Sequence, residues 1–160
     1  QGSHERKYPA YSSKTVKGVS LFLYALKGTI DTITVPTHTE TIYRTKGLTV
    51  TKLSLKEASE RIEEGLRVVP RDPAESKKEG ADFRQDEVRA QWKTLLSSLS
   101  SREFTLIRVC VTAGTGTYMR SLAERVGEAL GTKALALSIH RTRIGKYVHL
   151  LGGFWAKEYN

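Results

Sequence analysis

Residues 104–131 constrain this chain more than any other stretch. Phe104 to Thr112 alternates with a period of two, the pattern of a half-buried strand. Ala113-Gly-Thr-Gly-Thr117 follows, and then an amphipathic run from Tyr118 to Leu130 closed by Gly131, which predicts a helix with a glycine stop. A strand feeding a helix through a Gly-Thr-Gly turn presents free backbone amides at the helix start, where an anion is favoured. Two nucleotide motifs are nevertheless excluded. A dinucleotide fingerprint needs a third glycine where Met119 stands, and a Walker A loop needs Gly-Lys-Ser/Thr after the glycines. Taken locally, the turn is a tight strand-to-helix connection.

The remaining pattern predicts an α+β chain. Tyr11 to Val16 is polar and β-branched and ends at a Lys17-Gly18 turn. Leu21-Phe-Leu-Tyr-Ala-Leu26 predicts a short helix over Ser20 to Lys27, with Gly28 behind it. Thr32 to Tyr43 is rich in Thr, Ile and Val but contains Pro36, so it predicts two strand pieces or an edge strand. Leu48 to Leu53 alternates as a further strand. Ser54-Leu-Lys-Glu57 is a capping box opening a helix to about Glu64, stopped by Gly65. Val69 to Ala81 carries Pro70, Pro73 and Gly80 and predicts a loop. Asp82-Phe-Arg-Gln85 opens a second helix to about Leu99, striped by Val88, Trp92, Leu95, Leu96 and Leu99. Strands are expected over Ile139 to Arg143 and Tyr147 to Leu151. Strands and helices do not alternate regularly, so the sheet is expected to be mixed and mainly antiparallel, with flanking helices.

Charge narrows the partners. The 160 residues carry a net charge of +9. Residues 1–56 hold +6, residues 57–103 hold −2, and residues 104–160 hold +5. The positive field belongs to the two ends of the chain, which together would make a face suited to a polyanion. A charged fraction of 27% and a hydrophobic fraction of 39% are those of a globular chain. No apolar run approaches the ~18 residues of a membrane span. The single cysteine, Cys110, excludes an internal disulfide and a cysteine-based zinc site, and fits a reduced, cytoplasmic setting. His4, His38, His140 and His149 lack ligand spacing, so no metal is expected. Gln1-Gly-Ser-His4 reads as the remnant of a cleaved expression tag.

Arg120 is the most informative single residue. In the helix from Tyr118, Met119, Leu122, Ala123, Val126 and Leu130 form the apolar stripe; Arg120 stands at its edge with Gly127 two turns on. A guanidinium beside a core is placed to meet a carboxylate or phosphate in a cleft. The alternative is a surface pair with Glu124 four residues on.

Beyond these local features, Gly116-Thr-Tyr-Met-Arg-Ser-Leu-Ala123, then Gly127 and Leu130-Gly131, then Arg141-Thr-Arg-Ile-Gly145, resembles the second half of the TruB-type pseudouridine synthases. Tyr8-Pro-Ala-Tyr-Ser-Ser-Lys14, with Gly18 and Leu21-Phe22, is similar to an earlier segment of that family. The resemblance runs from about Tyr8 to Tyr147 and is loosest across 57–103. It implies isomerisation of uridine in the T-loop of tRNA, with the target base flipped into a pocket and with no cofactor. It implies that Arg120 pairs with a nucleophilic aspartate, that Tyr118 lines the uracil pocket, that Ile139 lies beneath the base, and that Lys14 and Arg141 contact the substrate. Leu135 stands where the family has a histidine, and His140 where an arginine is frequent.

The family's Gly-x-Leu-Asp-Pro-x-Ala-x-Gly segment is absent. Asp31, Asp72, Asp82 and Asp86 lie in no such motif. Residues 5–160 are therefore expected to be the C-terminal portion of a pseudouridine synthase fold, with a helical insertion at about 55–101, inactive alone. The expected partners are tRNA, the missing N-terminal half and, through apolar surface left bare, a second copy of the chain. The alternative is a non-catalytic RNA-binding protein built on the same fold. A weaker alternative is a protein-interaction domain using the acidic helical insertion.

Overall fold

The structure is a computed structural model that describes residues 1–68, 84–99 and 102–148, and the backbone of 154–156. Its frame is a three-stranded antiparallel sheet ordered β1-β4-β5, from Gly2–Lys7, Thr37–Leu53 and Phe104–Ala113. Two two-stranded pieces accompany it: Thr15–Val16 with Val19–Ser20 (β2, β3), and Lys146–Val148 with Phe154–Ala156 (β6, β7). The helices are α1 (Leu21–Leu26), α2 (Leu55–Arg67), α3 (Gln85–Ser97) and α4 (Met119–Ala129). Every strand pairing among the described residues is antiparallel, so the α+β class with a mainly antiparallel sheet holds.

Local signals placed several elements well. Ser20 and Lys27 flank α1 as expected. Thr15 to Ser20 turns at Lys17 and Gly18, both at positive φ, in the two-residue hairpin geometry. The box at Ser54 is complete: the Ser54 hydroxyl accepts from the Glu57 amide at 3.2 Å, and the Ser54 amide donates to Glu57 Oε2 at 2.8 Å. The Ser54 hydroxyl also donates to that carboxylate and, as the largest cause, holds the Glu57 carboxyl below its ordinary value of 4.5. A lowered carboxyl stabilises the fold above the ordinary value and loses that contribution as pH falls through the lowered one. The first turn of α2 is thus expected to fray on acidification in the native chain. Far-UV dichroism should show that a Glu57→Gln variant lacks this acid-dependent part of the transition; an identical acid transition would count against the role.

Other expectations need correction. Thr32–Tyr43 and Leu48–Leu53 are not separate strands. They merge into one 17-residue strand, β4, which is central rather than at an edge. Pro36 lies just outside it, and its carbonyl accepts from the Tyr8 amide at 3.1 Å. Ile30–Thr32 form a 3₁₀ turn ahead of it. Two register shifts, between Ile42 and Arg44 and between Lys46 and Thr49, break the alternation that would have marked a single strand. Gly65 does not stop α2, which runs on to Arg67. The strand expected over Ile139–Arg143 is absent, because residues 138–144 take no regular form and find no strand partner among the described residues. Residues 2–4, set aside as a tag remnant, pair with β4 from Gly2 opposite Ile42 to His4 opposite Glu40. The loop expected over Val69–Ala81 and the helix start at Asp82 lie outside the described residues, as do residues 149–151.

The apolar core is small. Among the described residues, the buried hydrophobic side chains are Leu21, Ile42, Leu53 and Ala58. Tyr43 stacks on Tyr147 at 4.3 Å and ties β6 to the sheet. Several large apolar side chains among the described residues are uncovered, including Leu48, Val68, Leu130, Leu135 and Ile144. Among the described residues no helix is long and apolar enough to cross a membrane.

Candidate functional site

The site forms where the first third of the chain meets the turn after β5. Gly114 donates its amide to Thr41 O at 2.8 Å, which anchors the Gly-Thr-Gly turn on β4. Gly116 takes φ +83, a conformation that disfavours any side chain, and turns its carbonyl toward the sheet. Tyr118 follows as the residue capping α4.

Glu40 organises this junction. It is 2% exposed. Its Oε2 accepts from Arg125 Nη2 at 2.7 Å, and its Oε1 accepts from the Tyr118 amide at 3.2 Å. One buried carboxylate therefore satisfies an orphan amide at the start of α4 and an arginine nearly two turns along it. His38 Nε2 lies 3.1 Å from Gly116 O and 3.4 Å from Glu40 Oε1. Both are acceptors, so that nitrogen carries the proton. Nδ1 is buried and has no hydrogen-bond partner among the described residues; the same is true of Ser12 Oγ and Thr117 Oγ1.

Two rings close around His38. Tyr8 stacks on it with centroids 4.1 Å apart, and Tyr118 meets the two edge-on at 5.8 and 6.1 Å. The Lys14 ammonium stands 5.2 Å from the Tyr8 ring centre. Arg120, at the start of α4, donates from Nη2 to Tyr11 O at 2.9 Å. Arg84, at the start of α3, donates from Nη1 to the Tyr11 hydroxyl at 2.7 Å and pairs with Glu87. The Arg84 guanidinium holds the Glu87 carboxyl below its ordinary range, and Glu87, with the Tyr11 hydroxyl, holds Arg84 more firmly protonated.

The structure thus brings together Lys14, Tyr118 and Arg120. Ile139 is 57% exposed, and no hydrogen bond or ion pair ties it or Arg141 to these three among the described residues. Among the described residues Arg120 is not paired with Glu124. Gly127, two turns on from Arg120, lies against Ala134. Sequence patterning passed over Glu40, His38 and Arg125. An acidic residue inside a β-branched run was the one available signal for Glu40. Its partners stand 78 and 85 residues away.

The balance of charge is positive. Arg125 offsets Glu40, leaving Lys14 and Arg120 beside a set of aromatic faces. Aromatic rings, cations and unsatisfied buried polar atoms form a place where a flat, hydrogen-bonding, anionic ligand would be held.

Two curated proteins named tRNA pseudouridine synthase B are similar to this chain. The protein from Parabacteroides distasonis is 38% identical over 64 residues, covering 38% of this chain and 27% of its own length. The protein from Deinococcus deserti is 44% identical over 45 residues, covering 28% and 14%. The chain spans about a quarter or less of the length of these relatives. No family model matches, and no solved structure matches.

Proposed function

We propose that this chain is the arginine-bearing portion of an RNA uridine isomerase of the tRNA pseudouridine synthase type, acting in the cytoplasm without a cofactor. In that reaction the bond from C1′ of the ribose to N1 of uracil breaks, and C1′ rejoins the base at C5. The base must leave its stack first. Arg120 orients and charge-balances the nucleophilic carboxylate, which comes from a segment outside these residues. Tyr118 lines the uracil pocket, and Lys14 contacts the backbone beside it.

The observation that carries this reading is the Arg120–Tyr11 bond, because it joins the two motifs of the family resemblance across 109 residues. It uses one of five guanidinium donors, which leaves others for a carboxylate. The two relatives support the substrate class by name. The uncovered apolar surface gives the missing half, or a second copy of the chain, a place to pack.

The test is tritium release from uridine-labelled tRNA. The chain alone should give no turnover. Adding the aspartate-bearing half should restore it, and Arg120→Ala in the reconstituted enzyme should remove it again. Turnover by the chain alone would overturn the division of roles. RNA binding without turnover in any combination would favour a non-catalytic RNA-binding protein.

A further inference from the structure

We infer that the outer part of the β4–β5 ribbon is a second RNA contact, made to the phosphate backbone through one cationic face. This shares with the proposed function only the RNA partner. The ribbon lies outside both motifs of the resemblance and does not depend on isomerisation.

Residues Arg44–Lys52 of β4 and Arg108–Cys110 of β5 are all exposed. Across an antiparallel pair, facing residues share a side of the sheet, and so do residues two apart along a strand. The register opposes Arg44 to Thr112, Lys46 to Cys110, Thr49 to Arg108 and Thr51 to Leu106. These four rungs occupy one face, at intervals of roughly 7 Å. They present Arg44, Lys46 and Arg108 in succession, interleaved with the Thr49, Thr51 and Thr112 hydroxyls. The other face carries Val50 opposite Ile107, Thr45 opposite Val111, and Lys52 bonded to Thr105. Three of the ribbon's four cations, Arg44, Lys46 and Arg108, thus share the first face, and Lys52 alone stands on the second with Val50, Ile107 and Val111.

No carboxylate occurs in residues 44–53 or 104–112. Among the described residues neither Lys46 nor Arg108 forms an ion pair. Two neighbouring like charges without an opposite charge beside them repel each other, and a ligand carrying a matching row of negative charges relieves this. A two-stranded ribbon has the width to lie in a nucleic-acid groove. The wide minor groove of an RNA helix is bordered by phosphates and lined with 2′-hydroxyls, the partners that lysine or arginine and threonine take in turn.

The experiment uses the 160-residue chain and a fluorescein-labelled RNA stem-loop in anisotropy titrations over a salt series. Lys46→Ala with Arg108→Ala should weaken binding roughly tenfold and reduce the log–log salt slope by roughly 1.5, the share of two phosphate contacts. Lys52→Ala, on the opposite face, should leave both nearly unchanged. Dichroism establishes that each variant folds. Wild-type affinity and slope in the double variant would overturn the inference, as would a chain that binds no RNA or binds polyglutamate as tightly as RNA. Turnover in the reconstituted enzyme with unchanged binding by the double variant would sink this inference alone. The converse would sink the isomerase reading alone.

Discussion

Glu40→Ala is expected to lower the unfolding free energy by about 3 kcal/mol, the lower end of what removing one partner from a buried ion pair costs. The lower end applies because the Arg125 side chain is 28% exposed while that of Glu40 is 3% exposed. Water can rehydrate the arginine in part. It cannot reach the Tyr118 amide so easily, and that amide loses its acceptor. The Nε2 proton of His38 keeps Gly116 O as an acceptor, which limits the loss. Urea unfolding should show a lower midpoint at an unchanged slope. Glu40→Gln preserves volume and an acceptor for the amide but forfeits the charge opposite Arg125, so it should fall between. A Glu40→Ala midpoint equal to that of the unaltered chain would show that the carboxylate is not holding α4 to β4. The functional consequence follows from position: Tyr118 and Arg120 sit at the start of the helix that Glu40 fixes. On the function proposed above, a variant that still folds should lose activity on reconstitution through misplacement of Arg120.

What the sequence reveals about this molecule tracks the range of the interactions involved. The Ser54–Glu57 box, the Ser20 start of α1 and the strand–turn–helix over 104–131 are legible because their causes lie within four residues. The long strand was misread because its two register shifts, at Tyr43 and near Gly47, break period-two alternation. Pro36 fell just before the strand rather than inside it. Gly65 looked like a stop, but a glycine in the middle of a helix only weakens it, and α2 already had its cap and its apolar face. The site divides the same way. Arg120 and Tyr118 stand out within one motif. Glu40, His38 and Arg125 gain meaning only when β4 lies beside α4, a juxtaposition that no local pattern encodes. Gly127 belongs with them: as a helix residue it is merely unfavourable, and only the fold supplies its reason.

That reason is contact. A side-chain carbon at Gly127 would stand 2.5 Å from Ala134 N, 2.8 Å from Ala134 Cβ and 3.0 Å from Lys133 C. Two of these are backbone atoms, and the third is the first carbon of a side chain, so no flexible group can swing away. The segment cannot easily retreat either, because Thr132 donates its amide to Gly127 O at 2.9 Å. Replacing a helical glycine by alanine gains about 1 kcal/mol in propensity. Forcing a methyl into a closed contact costs about 1–3 kcal/mol, and more when backbone must shift. With three contacts at or under 3.0 Å, the steric cost wins, and Gly127→Ala is expected to destabilise the chain by about 2 kcal/mol net. Gly65→Ala supplies the opposite sign. No described residue lies within 4 Å of its added carbon, so only the propensity gain remains, and stability should rise by up to about 1 kcal/mol. Adding Ala134→Gly to Gly127→Ala removes the 2.8 Å contact but not the one at 2.5 Å, so rescue should be partial. Paired thermal melts decide the matter: a Gly127→Ala midpoint at or above that of the unaltered chain would mean that residues 133 and 134 do not pack on α4, and full rescue by Ala134→Gly would mean that the backbone contact carries no cost.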